Sequence, residues 1–178
     1  NSKEVWASYT SDQHFFSRLN DIWVSRINEE LEKEIQLLQT NPKYKNLDRT
    51  VLLGLLCGRS AFTQSQWSSD ANFGINIGSS RGATGLFEHY YDVFKSSHKP
   101  SPLSSPSTTL GNIASWLAHD LKSKGPVISH SITCSTALHA ILNGVAWIKS
   151  GLTDRFMAGG AEAPLTPFTI GQMQALKI

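Results

Sequence analysis

Cysteine is scarce: the 178 residues hold two, Cys57 and Cys134. Two thiols far apart in the chain exclude a disulfide framework and a cysteine-based zinc site, and they fit a reducing, cytoplasmic setting. An excess of charge is also missing. Sixteen Lys and Arg against fourteen Asp and Glu leave a net charge of +2, and the basic residues are scattered, so nucleic acid is not expected as a partner. The apolar runs are short and interrupted, and the first residues lack the basic-then-apolar order of a secretion signal, so neither a membrane span nor targeting is expected. No internal repeat is visible. What remains is 40% hydrophobic content on a chain long enough for one domain with a substantial core. The chain opens at Asn1 without an initiator methionine and is still patterned as a helix from Ile170 to Ile178, so it reads as a piece of a longer protein.

The stretch that organises the rest is Gly125-Pro126-Val127-Ile128-Ser129-His130-Ser131-Ile132-Thr133-Cys134-Ser135-Thr136-Ala137. Its β-branched residues predict a strand, after which apolar positions switch to helical spacing at Leu138, Ile141, Leu142, Val145 and Ile148. Cys134 then sits on a strand-to-helix elbow. A thiol there faces the positive end of the helix dipole and unpaired backbone N–H groups, and both favour the nucleophilic thiolate.

Around that elbow the chain alternates helix and strand. Asn20 or Asp21 caps an expected amphipathic helix carrying Val24, Ile27, Leu31, Ile35 and Leu38, which ends at Asn41-Pro42. Asp48 starts a second helix through Phe62, apolar nearly all round, with Cys57 expected in the core. Gln64–Ala71 reads as a polar loop. The alternating run Phe73–Gly78 predicts a strand entering the turn Ser79-Ser80-Arg81-Gly82-Ala83, with a helix over Thr84–Phe94. Lys95–Thr108, rich in Pro and Ser, is expected to be irregular. Ser107 or Thr108 caps a helix with Leu110, Ile113, Ala114, Leu117 and Leu121 on one face, and Arg155–Ala158 reads as a strand. The alternation predicts an α/β fold with a parallel or mixed sheet.

Gly125-Pro126, the Thr133-Cys134-Ser135 elbow, Ala158-Gly159-Gly160-Ala161-Glu162 and Thr166-Pro167 resemble the β-ketoacyl-acyl-carrier-protein synthases of the thiolase superfamily. The likeness extends to Ile77-Gly78-Ser79-Ser80-Arg81-Gly82 and to Ser105-Pro106-Ser107-Thr108 with Asn112, so it covers about Phe73 to Ile178. It implies a layered α/β/α/β/α subunit of two similar halves, with residues 1–178 as the N-terminal half, lacking its first strand and the C-terminal half. It implies that Cys134 accepts an acyl group from acyl carrier protein as a thioester, with its own amide as one oxyanion donor. Condensation with malonyl-carrier protein then follows by decarboxylation. No cofactor and no metal are implied. The resemblance also implies a homodimer or heterodimer formed through the strand at residues 125–133.

Two departures from the family pattern matter. The two histidines and the lysine of the condensation chemistry belong to the family's second half, and His14, His89, His98, His119, His130 and His139 match none of them, so residues 1–178 alone are expected to be inactive and not to complete a condensation. Arg81 stands in a turn where the family usually carries small or apolar residues. A guanidinium there, with Thr133 beside the cysteine, suggests substrate binding to a carboxylate, phosphate or polar acyl group. The bland alternative for Arg81 is a surface pair with Glu88 or Asp92. Glu162, following two glycines, reads as the cap of a helix. Two other function classes stand beside the synthase. One is a non-catalytic, chain-length-factor-like partner subunit, against which Cys134 argues. The other is a cysteine hydrolase, whose elbow needs glycines where this chain has Ile132 and Thr136.

Overall fold

The computed structural model describes residues 2–68 and 71–177. In chain order the elements are α1 (Ser2–Tyr9), β1 (Phe16–Leu19), β2 (Ile22–Ser25), α2 (Glu29–Thr40), α3 (Arg49–Ser65), β3 (Gly74–Gly78), α4 (Thr84–Ser97), α5 (Ser104–Thr108), α6 (Gly111–Leu121), β4 (Val127–Ile128), α7 (Thr136–Lys149), β5 (Phe156–Gly160) and α8 (Pro167–Ala175). A 3₁₀ turn, Thr133–Ser135, leads into α7. Strands β4, β3 and β5 form a parallel sheet in that order, with Ile75 opposite both Val127 and Met157. The connection from β4 through α7 to β5 therefore crosses over β3, the central strand.

The alternation in Gly74-Ile75-Asn76-Ile77-Gly78 explains why β3 can be buried on both faces, because successive side chains point opposite ways. Ile75 and Ile77 join Val51, Leu52 and Leu55 of α3 and Ile113 and Leu117 of α6 in one aliphatic core with Phe73 and Met157. Each such side chain contributes about 1.5–3 kcal/mol by leaving water. The other face carries only Gly74, Asn76 and Gly78, and α7 lies on it. The Phe156 ring fills the space beside Gly74 and beneath Gly144 of α7. A Cβ on either glycine would come within 2.7 Å or 2.6 Å of that ring.

Carboxylates hold the starts of three helices, α3, α4 and α8. Asp48 Oδ1 accepts the Thr50 N–H at 2.7 Å and its Oδ2 accepts the Leu86 N–H at 3.0 Å, so one buried side chain caps both α3 and α4. Glu88 accepts the Thr166 hydroxyl at 2.6 Å and the Phe168 N–H at 3.3 Å, holding the start of α8 against α4. Arg59 grips Asp120 through two hydrogen bonds of 2.7 and 2.8 Å, and Tyr44 donates to the same carboxylate at 2.5 Å, tying α3 to α6.

The structure corrects several sequence expectations. Val24 and Ile27 fit a helical spacing, yet Asn20 takes a left-handed backbone (φ 54°) and turns the hairpin β1–β2, in which Leu19 pairs with Ile22. The helix starts only at Glu29, where Asn28 Oδ1 caps the Leu31 N–H at 2.9 Å. Lys95–Thr108 contains the end of α4 and α5, with the Ser97, Ser107 and Thr108 hydroxyls bonding back to carbonyls four residues earlier; Ser107 and Thr108 thus lie inside α5 and cap nothing in α6, which starts at Gly111 after Leu110. Cys57 is exposed, since α3 buries Val51, Leu52, Gly54, Leu55 and Gly58 and turns position 57 outward. The strand expected at 125–133 is regular only at Val127–Ile128. Beyond it the Ser129 hydroxyl takes the Ile77 carbonyl at 2.8 Å, in place of a backbone donor. The final helix is α8, and Ile178, like Ser69 and Asp70 of the expected polar loop, lies outside the described residues.

Burial pushes the Asp120 carboxyl up, but the hydrogen bonds from Arg59 and Tyr44 outweigh it and hold the group below the usual carboxylate range. A depressed folded value adds stability that is complete above the unfolded value of about 3.9 and is lost as pH falls through the folded one. Urea midpoints measured from pH 7 down to pH 3 should therefore fall more steeply in the parent than in Asp120→Asn.

Candidate active site

The elbow is built from backbone bent by side-chain hydroxyls. Thr133 adopts a left-handed backbone (φ 46°), which a β-branched residue rarely takes and which is sustained only when its surroundings hold it. Its carbonyl accepts the Thr136 hydroxyl at 2.6 Å and the Ser80 hydroxyl at 3.1 Å. Thr136 Oγ1 in turn accepts the Ile132 N–H at 2.9 Å, so a single buried hydroxyl locks the residues before and after the bend. Cys134 follows in the 3₁₀ turn, solvent-exposed, with Ser135 as the N-cap position of α7. Cys134 lies just before the helix, as expected, but the strand that was expected to deliver it ends at Ile128, and residues 129–132 and the 3₁₀ turn lie between the two.

Two glycines let this elbow reach the sheet. A Cβ at Gly78 would lie 2.2 Å from Thr136 Cγ2 and 2.9 Å from the His130 carbonyl, and one at Gly160 would lie 3.1 Å from Ala137 Cβ. The ends of β3 and β5 thus touch the first turn of α7. The turn after β3 is stitched to the elbow segment by three hydrogen bonds: Ser79 N–H to the His130 carbonyl at 3.2 Å, the Ser131 hydroxyl to the Ser80 carbonyl at 3.2 Å, and Ser80 to Thr133.

Glu162 is not the helix cap that its sequence context suggests. It reaches from the end of β5 to accept the Ser79 hydroxyl at 3.0 Å and the Ser80 N–H. Ser79 Oγ also accepts the Gly82 N–H at 2.8 Å, closing the turn in which Gly82 takes φ 69°. Beneath the elbow lies a polar pair that sequence reasoning missed. Asn143 of α7 donates to Asn76 Oδ1 at 2.8 Å, and Asn76 Nδ2 donates to the Ile128 carbonyl and to His130 Nδ1, each at 3.0 Å. The other ring nitrogen of His130, Nε2, is buried without a hydrogen-bond partner. The signal was an asparagine between two isoleucines in an otherwise apolar strand.

The remaining candidates sort as follows. His139 Nδ1 bonds the Ser135 carbonyl at 3.0 Å, one turn back on its own helix. Arg81 is exposed and donates to Gln172 of α8 at 2.6 Å, so neither Glu88 nor Asp92 is its partner. Arg81, Ser80 and Glu162 are among the residues that line a cleft of about 1260 Å³, whose lining includes neither Thr133 nor Cys134. The hairpin β1–β2 and residues 163–174 form its walls, and Ile22, Trp23, Leu165 and Met173 give it apolar surface. No group of metal-binding side chains occurs among the described residues, and no helix among them is long and apolar enough to cross a membrane.

The parallel sheet and the helices on its two faces make this an α/β fold, with Cys134 in the 3₁₀ turn that opens α7. The chain belongs to the β-ketoacyl synthase family: residues 3–178 match its description "Beta-ketoacyl synthase, N-terminal domain". It is 32% identical over 139 residues to 3-oxoacyl-[acyl-carrier-protein] synthase 2 of Vibrio cholerae, covering 75% of this chain and 34% of that protein. The chain thus spans about a third of that relative's length. Among solved structures it resembles a β-ketoacyl synthase from Burkholderia phymatum, with a TM-score of 0.76 and 15% identity over 99% of this chain and 46% of that one. It also resembles the ishigamide ketosynthase/chain length factor, at TM-score 0.68 and 15% identity, covering 75% and 35% of the two chains.

Because the elbow touches Gly78, Gly78→Ala should force the first turn of α7 away from the sheet. The expected cost is about 1–3 kcal/mol, read from chemical denaturation, with slower iodoacetamide modification of Cys134 relative to Cys57 in the folded protein.

Proposed function

We propose that the chain is the cysteine-bearing N-terminal domain of a β-ketoacyl-acyl-carrier-protein synthase, an acyltransferase of fatty-acid or polyketide-type synthesis in the cytoplasm. The observation that carries this reading is an exposed Cys134 directly after a left-handed Thr133, on an elbow braced by the Ser79–Gly82 turn. In the proposed reaction the Cys134 thiolate attacks the carbonyl of an acyl thioester on acyl carrier protein. The carrier thiol leaves, and the acyl group remains as a thioester on the enzyme. Loss of carbon dioxide from a malonyl thioester then gives an enolate, which attacks the acyl-enzyme carbonyl, forms the carbon–carbon bond and releases Cys134 as thiolate. The Cys134 N–H would donate to the oxyanion in both steps.

Two further elements belong to the same reading. Arg81 and Thr133 contribute to substrate binding, with the guanidinium in the lining of the cleft favouring an acyl group that carries a polar or anionic function. Strand β4 lies at the edge of its sheet, with Val127 and Ile128 40% and 38% exposed, and offers a pairing edge to a second subunit, identical or homologous. Since only those two residues are in the ladder, the pairing edge within residues 125–133 is short.

The test is acylation. Incubated with a short-chain acyl N-acetylcysteamine thioester, the protein should gain one acyl mass by intact mass spectrometry. Peptide mapping should place it on Cys134, Cys134→Ala should abolish it, and Cys57→Ser should leave it unchanged. A parent protein whose Cys134 takes no acyl group defeats the reading and leaves the chain-length-factor-like partner role.

A further inference from the structure

We propose that Glu162 is a positioning residue for Cys134, acting through Ser80, an inference that rests on the reading of Cys134 as the acyl-accepting nucleophile. The path is short and continuous. Glu162 Oε1 accepts the Ser79 hydroxyl and the Ser80 N–H, which fixes the backbone of the turn after β3. Fixing that backbone aims the Ser80 hydroxyl at the Thr133 carbonyl, 3.1 Å away. Thr133 is the residue whose left-handed backbone presents Cys134, and its carbonyl has two donors, Ser80 from outside the elbow and Thr136 from within it. Thr136 travels with the helix and can follow the elbow wherever it moves. Ser80 belongs to another layer of the fold, so its bond ties the carbonyl at the bend itself to the turn after β3, while the Ser79–His130 and Ser131–Ser80 hydrogen bonds hold the residues before it.

Geometry explains why a carboxylate at this place suits the task. Glu162 follows β5 by two residues, and β5 and β3 end side by side, with Gly78 paired to Gly160. The Ala161 N–H donates to the Gly78 carbonyl at 3.1 Å, so the backbone carrying Glu162 is anchored to the strand that feeds the Ser79–Gly82 turn. The side chain therefore joins two chain segments already held in register. Glu162 and Ser80 are both solvent-exposed, and such bonds add little to global stability. What they add is a fixed orientation at the bend, and orientation is what a nucleophile next to its own oxyanion donor requires.

The experiment compares Glu162→Ala, Glu162→Gln, Ser80→Ala and the double variant Glu162→Ala/Ser80→Ala in the whole chain. The readout is the rate of iodoacetamide alkylation at Cys134 divided by that at Cys57, an exposed thiol on α3 that serves as internal standard. Glu162→Ala and Ser80→Ala should each lower the ratio about tenfold, the scale expected for losing one net hydrogen bond. The double variant should lose no more than either single one, because the two act in series. Glu162→Gln, whose amide oxygen accepts the same two donors, should restore the ratio. An unchanged ratio in both alanine variants, or a glutamine variant that behaves like alanine, overturns the proposal. If Glu162→Ala does not fold, Ser80→Ala decides the question, because its position is exposed and its truncation leaves no cavity. Alkylation needs no acyl transfer. A parent that alkylates but never acylates would defeat the functional reading while the variants still judge the positioning role.

Discussion

Everything at the candidate site depends on how closely the first turn of α7 approaches the end of β3. Gly78 offers only hydrogen where any side chain would strike Thr136 and the His130 carbonyl, and Gly160 leaves room for only a tight contact beneath Ala137. That contact lets a threonine hydroxyl and a serine hydroxyl converge on one carbonyl and hold a residue in a backbone region it otherwise avoids. The helix is kept at this distance along its length by small residues, Thr136, Ala140 and Gly144, and by the Asn76–Asn143 pair. A buried amide pair of this kind is directional where dispersion contacts are not, so it fixes the rotation of α7 about its axis as well as its distance.

A consequence for α7 is that its large apolar residues point outward. Leu138, Ile141, Leu142, Val145 and Ile148 form a stripe at helical spacing, yet the face that meets the sheet is the small one. Exposed stripes of this size on a helix mark contact surfaces in soluble proteins. The periodicity identified the helix correctly and assigned its faces no partner. The chemistry of the neighbour decided: a sheet surface of glycines accepts a close helix only if that helix brings small side chains.

The same logic separates what the sequence made legible from what it concealed. Helix α3 and strand β3 were readable because period and punctuation agreed at each, Asp48 before an apolar run and alternation ending in Gly78, whereas α6 and α7 were legible from period alone, since neither Ser107 nor Thr108 caps α6 and the strand before Cys134 is regular over two residues only. The hairpin β1–β2 was hidden because Val24, Ile27 and Leu31 satisfy a helical spacing while Asn20 supplies the turn, and local propensity could not arbitrate. Cys57 was placed in the core because its neighbours are apolar; which residues of such a run turn outward is set by packing against α6, a nonlocal fact. Glu162 was taken for a cap because nothing along the chain links it to Ser79 and Ser80, some eighty residues earlier. Long-range partners of polar residues were the least legible part of the site, and they are most of what shapes it.

The two-faced character of β3 also acts as a form of proofreading during folding. A slip of one residue against β4 and β5 would exchange the faces, driving Asn76 into the aliphatic core and turning an isoleucine toward the first turn of α7. The first error strands a buried amide at a cost of about 1–3 kcal/mol, and the second meets a space sized for a hydrogen atom. Neither can be relieved by side-chain rotation. The register that brings Gly78 beneath the elbow is thus the register both neighbouring layers accept, and a misaligned strand is rejected on two sides at once.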